Sequence, residues 1–205
     1  MNMEITDSII DQLKSLRSDS SSRLLVAIAG APASGKTTLA HELANSVPHC
    51  ACVSMDGFHL DNSILEDMNL TDRKGSPETF DLDGFTSTVA RLKESKDIYV
   101  PIFDRSNERT INCAHLIPKE VQTVVVEGNY LLLNEPGWSE LKSFWDFSIF
   151  LEIDLSIIER RLLDRWSSYG YASNAIHAKV IHNDLPNAER VTRHRLSADI
   201  TVSIL

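Results

Sequence analysis

The chain has 205 residues, 42% of them hydrophobic, which is enough for one good core, and its formal charge is −9. That acidity argues against duplex DNA or an anionic membrane as the main partner, because both demand a basic surface; a local basic pocket stays open. No apolar run approaches the ~20 residues that span a bilayer, and no signal-peptide core opens the chain. The three cysteines Cys50, Cys52 and Cys113 lack zinc-site spacing, so reduced thiols and a cytoplasmic location are expected.

Residues 4–17 carry Ile5, Ile9, Ile10, Leu13 and Leu16 as a helical stripe, and residues 18–22 read as a flexible link. The apolar run at 24–29 is a buried strand. It opens onto Gly30-Ala31-Pro32-Ala33-Ser34-Gly35-Lys36-Thr37, which fits G-x-x-x-x-G-K-[ST], the phosphate-binding P-loop, at every fixed position, with Thr38 following. Leu39, Leu43 and Val47 then recur at helical spacing. Strand, loop and helix are the setting that the motif needs. The glycines let backbone N–H groups converge on phosphate oxygens, and the helix N-terminus adds partial positive charge. Lys36 reaches the β- and γ-phosphates and Thr37 offers its hydroxyl to Mg²⁺. A nucleoside triphosphate is expected here.

A second strand at 51–55 ends in Asp56-Gly57-Phe58-His59, and the polar stretch 60–80 reads as loop. Asp83 can cap a helix to about residue 95, with Phe85, Val89 and Leu92 on one face. Residues 97–120 suggest an antiparallel excursion, with Pro101 favouring an edge. The β-branched run at 121–126 is a buried strand leading into Glu127-Gly128-Asn129-Tyr130, like a Walker B strand with Glu in place of Asp. Another strand is expected at 147–153. Ser156 and Glu159 form a capping box for a helix through Trp166. Shorter helices at 172–183 and 187–196 and a last strand at 200–205 complete the pattern. The fold class is therefore α/β: a three-layer P-loop NTPase fold with a doubly wound parallel sheet of about five strands and a small antiparallel excursion.

Ligands of such sheets gather at the strands' carboxyl ends, where Asp56, Glu127 and Asp154 are expected alongside the P-loop. Asp56 is a turn residue, a general base for an attacking alcohol, or a carboxylate that positions Mg²⁺. Glu127 can hold Mg²⁺ through water. Arg161 and Arg165, four apart, share a helix face.

The ordered set of the P-loop, Ser54-Met55-Asp56-Gly57-Phe58-His59, Phe80-Asp81-Leu82-Asp83-Gly84-Phe85, Val100-Pro101-Ile102-Phe103-Asp104-Arg105 and Val126-Glu127-Gly128-Asn129-Tyr130 resembles the uridine kinase, phosphoribulokinase and type I pantothenate kinase superfamily. It looks nearest to small bacterial kinases described as uridine-kinase-like or associated with sugar transport. The resemblance covers nearly everything from residue 24 onward. It implies one P-loop kinase domain over 1–205, comprising an N-terminal helix and link (1–22), an acceptor-side excursion (97–120) and lid and nucleotide-end helices (156–196). It also implies ATP and Mg²⁺ as cofactors, a small-molecule acceptor with no nucleic acid or membrane partner, and a monomer or homodimer. Residue by residue, it makes Asp56 the general base and gives acceptor contacts to His59, Asp81, Phe103, Asp104 and Arg109. Arg161 and Arg165 become lid arginines, Thr37 and Glu127 metal-organising groups, and Asn187 a residue bordering the nucleotide. Uridine kinases carry His-x-Arg where this chain has Asn107-Glu108-Arg109, so sugar, nucleoside, vitamin precursor and sugar phosphate all stay open as acceptors. The alternative class is a P-loop switch that couples hydrolysis to a partner protein, which would need no pocket around Asp81 and Asp104.

Overall fold

The structure is a computed structural model that describes residues 3–18, 22–169 and 173–204. The expected link at 18–22 falls mostly outside the described residues, as does the final residue of the last expected strand. In chain order the elements are α1 (Met3–Ser18), β1 (Leu24–Gly30), α2 (Lys36–Ser46), β2 (Cys50–Ser54), α3 (Asn62–Asp67), α4 (Leu82–Leu92), β3 (Ile98–Asp104), β4 (Arg109–Ile117), β5 (Thr123–Gly128), β6 (Phe147–Ile153), α5 (Leu155–Ser168), α6 (Ser173–Lys179), α7 (Leu185–Arg193) and β7 (Ile200–Ile204). Five strands pair in parallel in the order β2-β5-β1-β6-β7, while β3 and β4 make a separate antiparallel hairpin.

Every residue of β1 and β5 is buried, because helices cover both faces of the sheet. Side chains along β1 alternate between those faces. Leu24, Val26 and Ile28 pack with Ile9, Leu13, Leu39 and Leu43 of α1 and α2. Leu25, Ala27 and Ala29 pack with Phe85 and Val89 of α4 and with Tyr130 and Trp138. A third cluster joins Ile158, Leu162, Ile176, Val180 and Ala188 to Ala31, seating α5, α6 and α7 against the P-loop. The chain leaves β1 toward β2 on one side, and β6 pairs on the other. That reversal opens a crevice at the carboxyl end of β1.

Several helix boundaries differ from expectation. Asp81, not Asp83, caps α4, accepting from the Gly84 N–H at 2.9 Å. Asp154, not Ser156, caps α5, accepting from the Ser156 N–H at 2.8 Å and its hydroxyl at 2.5 Å. Both aspartates sit where a strand or extended segment ends, so a short carboxylate meets the first free N–H groups before the expected caps can. Asp154 is thereby spent on the helix rather than on the crevice. The stretch 60–80 contains α3, and α6 runs on through a π turn at Val180–Asp184 into α7, with Pro186 tolerated in the first turn. Cys50 and Cys52 are half-buried on β2, and burial pushes both thiols up to about 12. Among the described residues no helix is long and apolar enough to cross a membrane.

Arg23, only 1% exposed, ties the layers together. Its guanidinium donates to the carbonyls of Val121 (3.0 Å), Leu92 (3.4 Å), Lys96 (3.2 Å) and Pro118 (3.0 Å), joining the end of α4 to the chain that leaves the hairpin. Arg23→Ala strands these carbonyls, so thermal unfolding is expected to show a loss of about 2 kcal/mol and a Tm about 4–8 °C lower. A Tm within a degree of wild type would mean that the carbonyls find other partners.

Candidate active site

Gly35 takes φ 99° at the mouth of α2, a left-handed conformation that a side chain would strain, and this turn aims the first N–H groups of the helix into the crevice. The Lys36 ammonium, 6% exposed, donates to the Ala31 carbonyl at 2.8 Å. Burial pushes its pKa down to about 8, with Glu127 and Asp56 partly opposing the shift. From α5, Arg161 donates to the Ala33 carbonyl at 3.1 Å, so the helical layer grips the loop backbone directly.

The loop frames a cavity of about 250 Å³ whose lining includes Lys36, Thr37, Thr38, Asp56, Arg105, Glu127, Asn129 and Arg165. Glu127 lies 5% exposed near the end of β5 and accepts from the hydroxyls of Thr37 (3.3 Å) and Ser54 (2.6 Å). Burial, and next the charge of Asp56, raise its carboxyl above the usual range, while Lys36 pulls it down. The Thr37 hydroxyl and a carboxylate side by side form a hard-oxygen donor pair, which suits Mg²⁺.

Asp56 sits on the 3-10 turn Met55–Phe58 that follows β2, where its N–H donates to the Ser54 hydroxyl at 3.2 Å. A second, smaller cavity of about 110 Å³ adjoins it, lined among others by His59, Lys74, Phe80, Phe103, Arg105, Arg165 and Asn187. The His59 ring lies between Phe80 and Phe103, with centroids 4.1 and 4.6 Å away, and its Nδ1–H donates to the Asp56 carbonyl at 2.8 Å. Burial lowers its pKa, which favours neutral imidazole with Nε2 as an acceptor. Lys74 lies 5.1 Å above the Phe103 ring and pairs with Glu108 at 3.3 Å.

Of the expected site residues, Pro32, Ala33, Gly35, Lys36, Thr37, Thr38, Asp56, Glu127 and Arg165 gather around the crevice, and His59, Phe103 and Asn187 around the smaller cavity, while Gly30, Ala31 and Ser34 are buried beneath the loop. Asn187 is 2% exposed, donates to Asn183 Oδ1 at 3.2 Å, and leaves its own Oδ1 without a partner in the structure. Three expected acceptor contacts line neither cavity. Asp81 is committed to its helix cap. Asp104 accepts from the N–H groups of Ser106 and Asn107 and from the Asn107 amide, bracing the hairpin turn. Arg109, exposed, opens β4 opposite Asp104. Sequence reasoning passed over Lys74, Asn129 and Arg105. Arg105 stood beside the expected Asp104, and only its direction at the end of β3 separates the two.

The phosphoribulokinase / uridine kinase family profile matches residues 25–205. A crystal structure of a fructose transport system kinase-like protein from Silicibacter sp. TM1040 superposes with a TM-score of 0.91 at 39% identity, covering 96% of this chain and 98% of that one. The Escherichia coli (strain K12) protein YggC is 35% identical over 188 residues, 89% of this chain and 78% of its own length. A pantothenate kinase from Enterococcus faecalis is 30% identical over 152 residues; these are 70% of this chain and 50% of that enzyme, so the chain spans half the enzyme's length. With a P-loop, a buried Lys36 and two carboxylates around one crevice, this chain belongs to the phosphoribulokinase / uridine kinase family and is a small-molecule kinase, a phosphotransferase acting on an alcohol group.

Proposed function

We propose that the protein transfers the γ-phosphoryl group of ATP to a hydroxyl of a small metabolite, such as a sugar, a nucleoside or a pantothenate-like alcohol, with Asp56 as general base. The observation that carries this reading is the position of Asp56, which lines both the P-loop cavity and the smaller cavity beside His59 and Phe103. A base at that junction faces the γ-phosphate on one side and an acceptor hydroxyl on the other. The P-loop amides and Lys36 hold the phosphates. Thr37 and Glu127 would hold Mg²⁺, which supplies charge neutralisation on the β- and γ-phosphate oxygens. Asp56 takes the hydroxyl proton as the oxygen attacks phosphorus, and His59, Phe80 and Phe103 wall the acceptor. A switch that answers to a partner protein needs no such walled base, which favours the kinase.

ATP consumption screened across a library of small alcohols, each hit verified by detection of its phosphorylated product, tests this reading. Hydrolysis at one rate whatever alcohol is present would favour the switch.

Arg165 lines both cavities, its guanidinium lying 5.9 Å from the Trp166 ring and 6.0 Å from the Tyr169 ring. Its role is to neutralise charge that develops during transfer, so Arg165→Ala should lower kcat about tenfold or more while weakening ATP binding less. An unchanged kcat with an equal loss in ATP affinity and kcat/KM would place it in ground-state binding instead. Arg161, spent on the Ala33 carbonyl, is a positioning residue for the loop.

A further inference from the structure

Among the described residues, the side chain that hydrogen-bonds to the Asp56 carboxylate is Arg105, whose Nη2 donates to Oδ2 at 2.5 Å. The approach depends on Gly57: a Cβ there would stand 2.5 Å from the Pro101 carbonyl oxygen, so glycine alone lets β3 lie against the turn that carries Asp56. The pair occupies a junction. Asp56 and Arg105 together line the P-loop cavity, the smaller cavity and a third of about 540 Å³ between α2, β2 and the hairpin. Their exposure differs. Asp56 is held on its turn with a side chain 25% exposed, whereas the Arg105 side chain is 47% exposed on a long stem. A carboxylate oxygen that accepts a charge-assisted hydrogen bond has that lone pair occupied and cannot at the same time take a proton from a hydroxyl. The other carboxylates of the smaller cavity have partners of their own, Glu108 with Lys74 and Asp184 with the Trp166 indole N–H.

We propose that Arg105 is a latch on the base, which it keeps out of proton transfer until an acceptor hydroxyl displaces the guanidinium. This deepens the kinase reading and rests on it. The reaction held in check is hydrolysis. A water oxygen would form the new bond to the γ-phosphorus while its proton passes to Asp56. The bond from that phosphorus to the bridging oxygen would break, and ADP would leave with the electron pair. With the latch in place, water is a poor substitute for the acceptor, and ATP is conserved in the acceptor's absence.

The test is ATP hydrolysis by the full chain with Mg²⁺ and no acceptor. Arg105→Ala should hydrolyse about tenfold faster than wild type, and Arg105→Lys, which keeps a cation, should fall between them. Asp56→Asn/Arg105→Ala should lose the gain, because the gain runs through the base. Nucleotide affinity measured on each variant reports that the P-loop is folded, and Arg105→Gln replaces any alanine variant that fails this check. Hydrolysis unchanged or lower in a nucleotide-binding Arg105 variant overturns the latch, and so does a gain that survives Asp56→Asn. Loss of a purely structural residue would depress hydrolysis and transfer together, whereas loss of a latch raises the ratio of hydrolysis to transfer. Failure of the kinase reading is a separate result: wild type would then phosphorylate no alcohol in the library, whatever Arg105 does to hydrolysis.

Discussion

Asp56→Asn is expected to lower phosphoryl transfer to the acceptor by about 10²–10⁴, the usual worth of a positioned general base. The amide keeps the shape of the carboxylate and its place on the turn after β2, but it cannot take the hydroxyl proton. ATP affinity should change little, because on the proposed reading the amides at the mouth of α2 and Lys36 hold the phosphates without help from residue 56. Glu127 supplies an internal control. The Asp56 charge is among the causes that raise its carboxyl, so removing that charge leaves Glu127 more readily ionised and no worse a metal ligand. If Asp56 chiefly positioned Mg²⁺, nucleotide affinity would drop and depend more steeply on Mg²⁺. Titrations of ATP and Mg²⁺ beside single-turnover transfer separate the two roles. Unimpaired transfer in the variant would remove Asp56 from the mechanism.

Lys36→Ala is expected to cost about 10²–10³ in kcat, by analogy with the loss of other preorganised electrostatic donors, with the fold intact. The ammonium is buried against its own loop, donating to the Ala31 carbonyl, and on the proposed reading it faces the β- and γ-phosphates. Its titration gives a second readout. Burial lowers the pKa to about 8, so the charged amine that phosphate prefers is fully present below pH 8 and is lost as pH rises through that value. Wild-type ATP affinity should therefore be flat below pH 8 and weaken above it, by up to about tenfold per pH unit. The alanine variant should show no such fall. Wild-type affinity and turnover in Lys36→Ala, or the same pH dependence in both proteins, would defeat the assignment of the site.

The P-loop was legible because everything that defines it is local. An apolar strand, a glycine turn and a helix start follow one another without interruption, and the backbone they dictate is itself the binding surface. The buried runs at β5 and β6 were legible for a related reason: strands covered on both faces carry continuous apolar sequence, and such strands alternating with helices imply a parallel sheet. The caps of α4 and α5 were local too, yet misplaced by two residues. Hydrophobic period marks a helix's face but not the residue at which its first free N–H finds an oxygen.

By itself, then, the sequence determined a parallel α/β sheet, a phosphate loop and two carboxylates at the carboxyl ends of strands. Which side chains surround those carboxylates was decided by the tertiary structure alone. Arg105 reaches Asp56 across 49 positions and Arg161 reaches Ala33 across 128. Asp104, one residue from Arg105, turns instead into its own loop. These partnerships follow from strand order and from how closely Gly57 lets the hairpin approach. Neither leaves a periodic trace, because a side chain's contact partner depends on where distant backbones come to rest rather than on its neighbours in the chain.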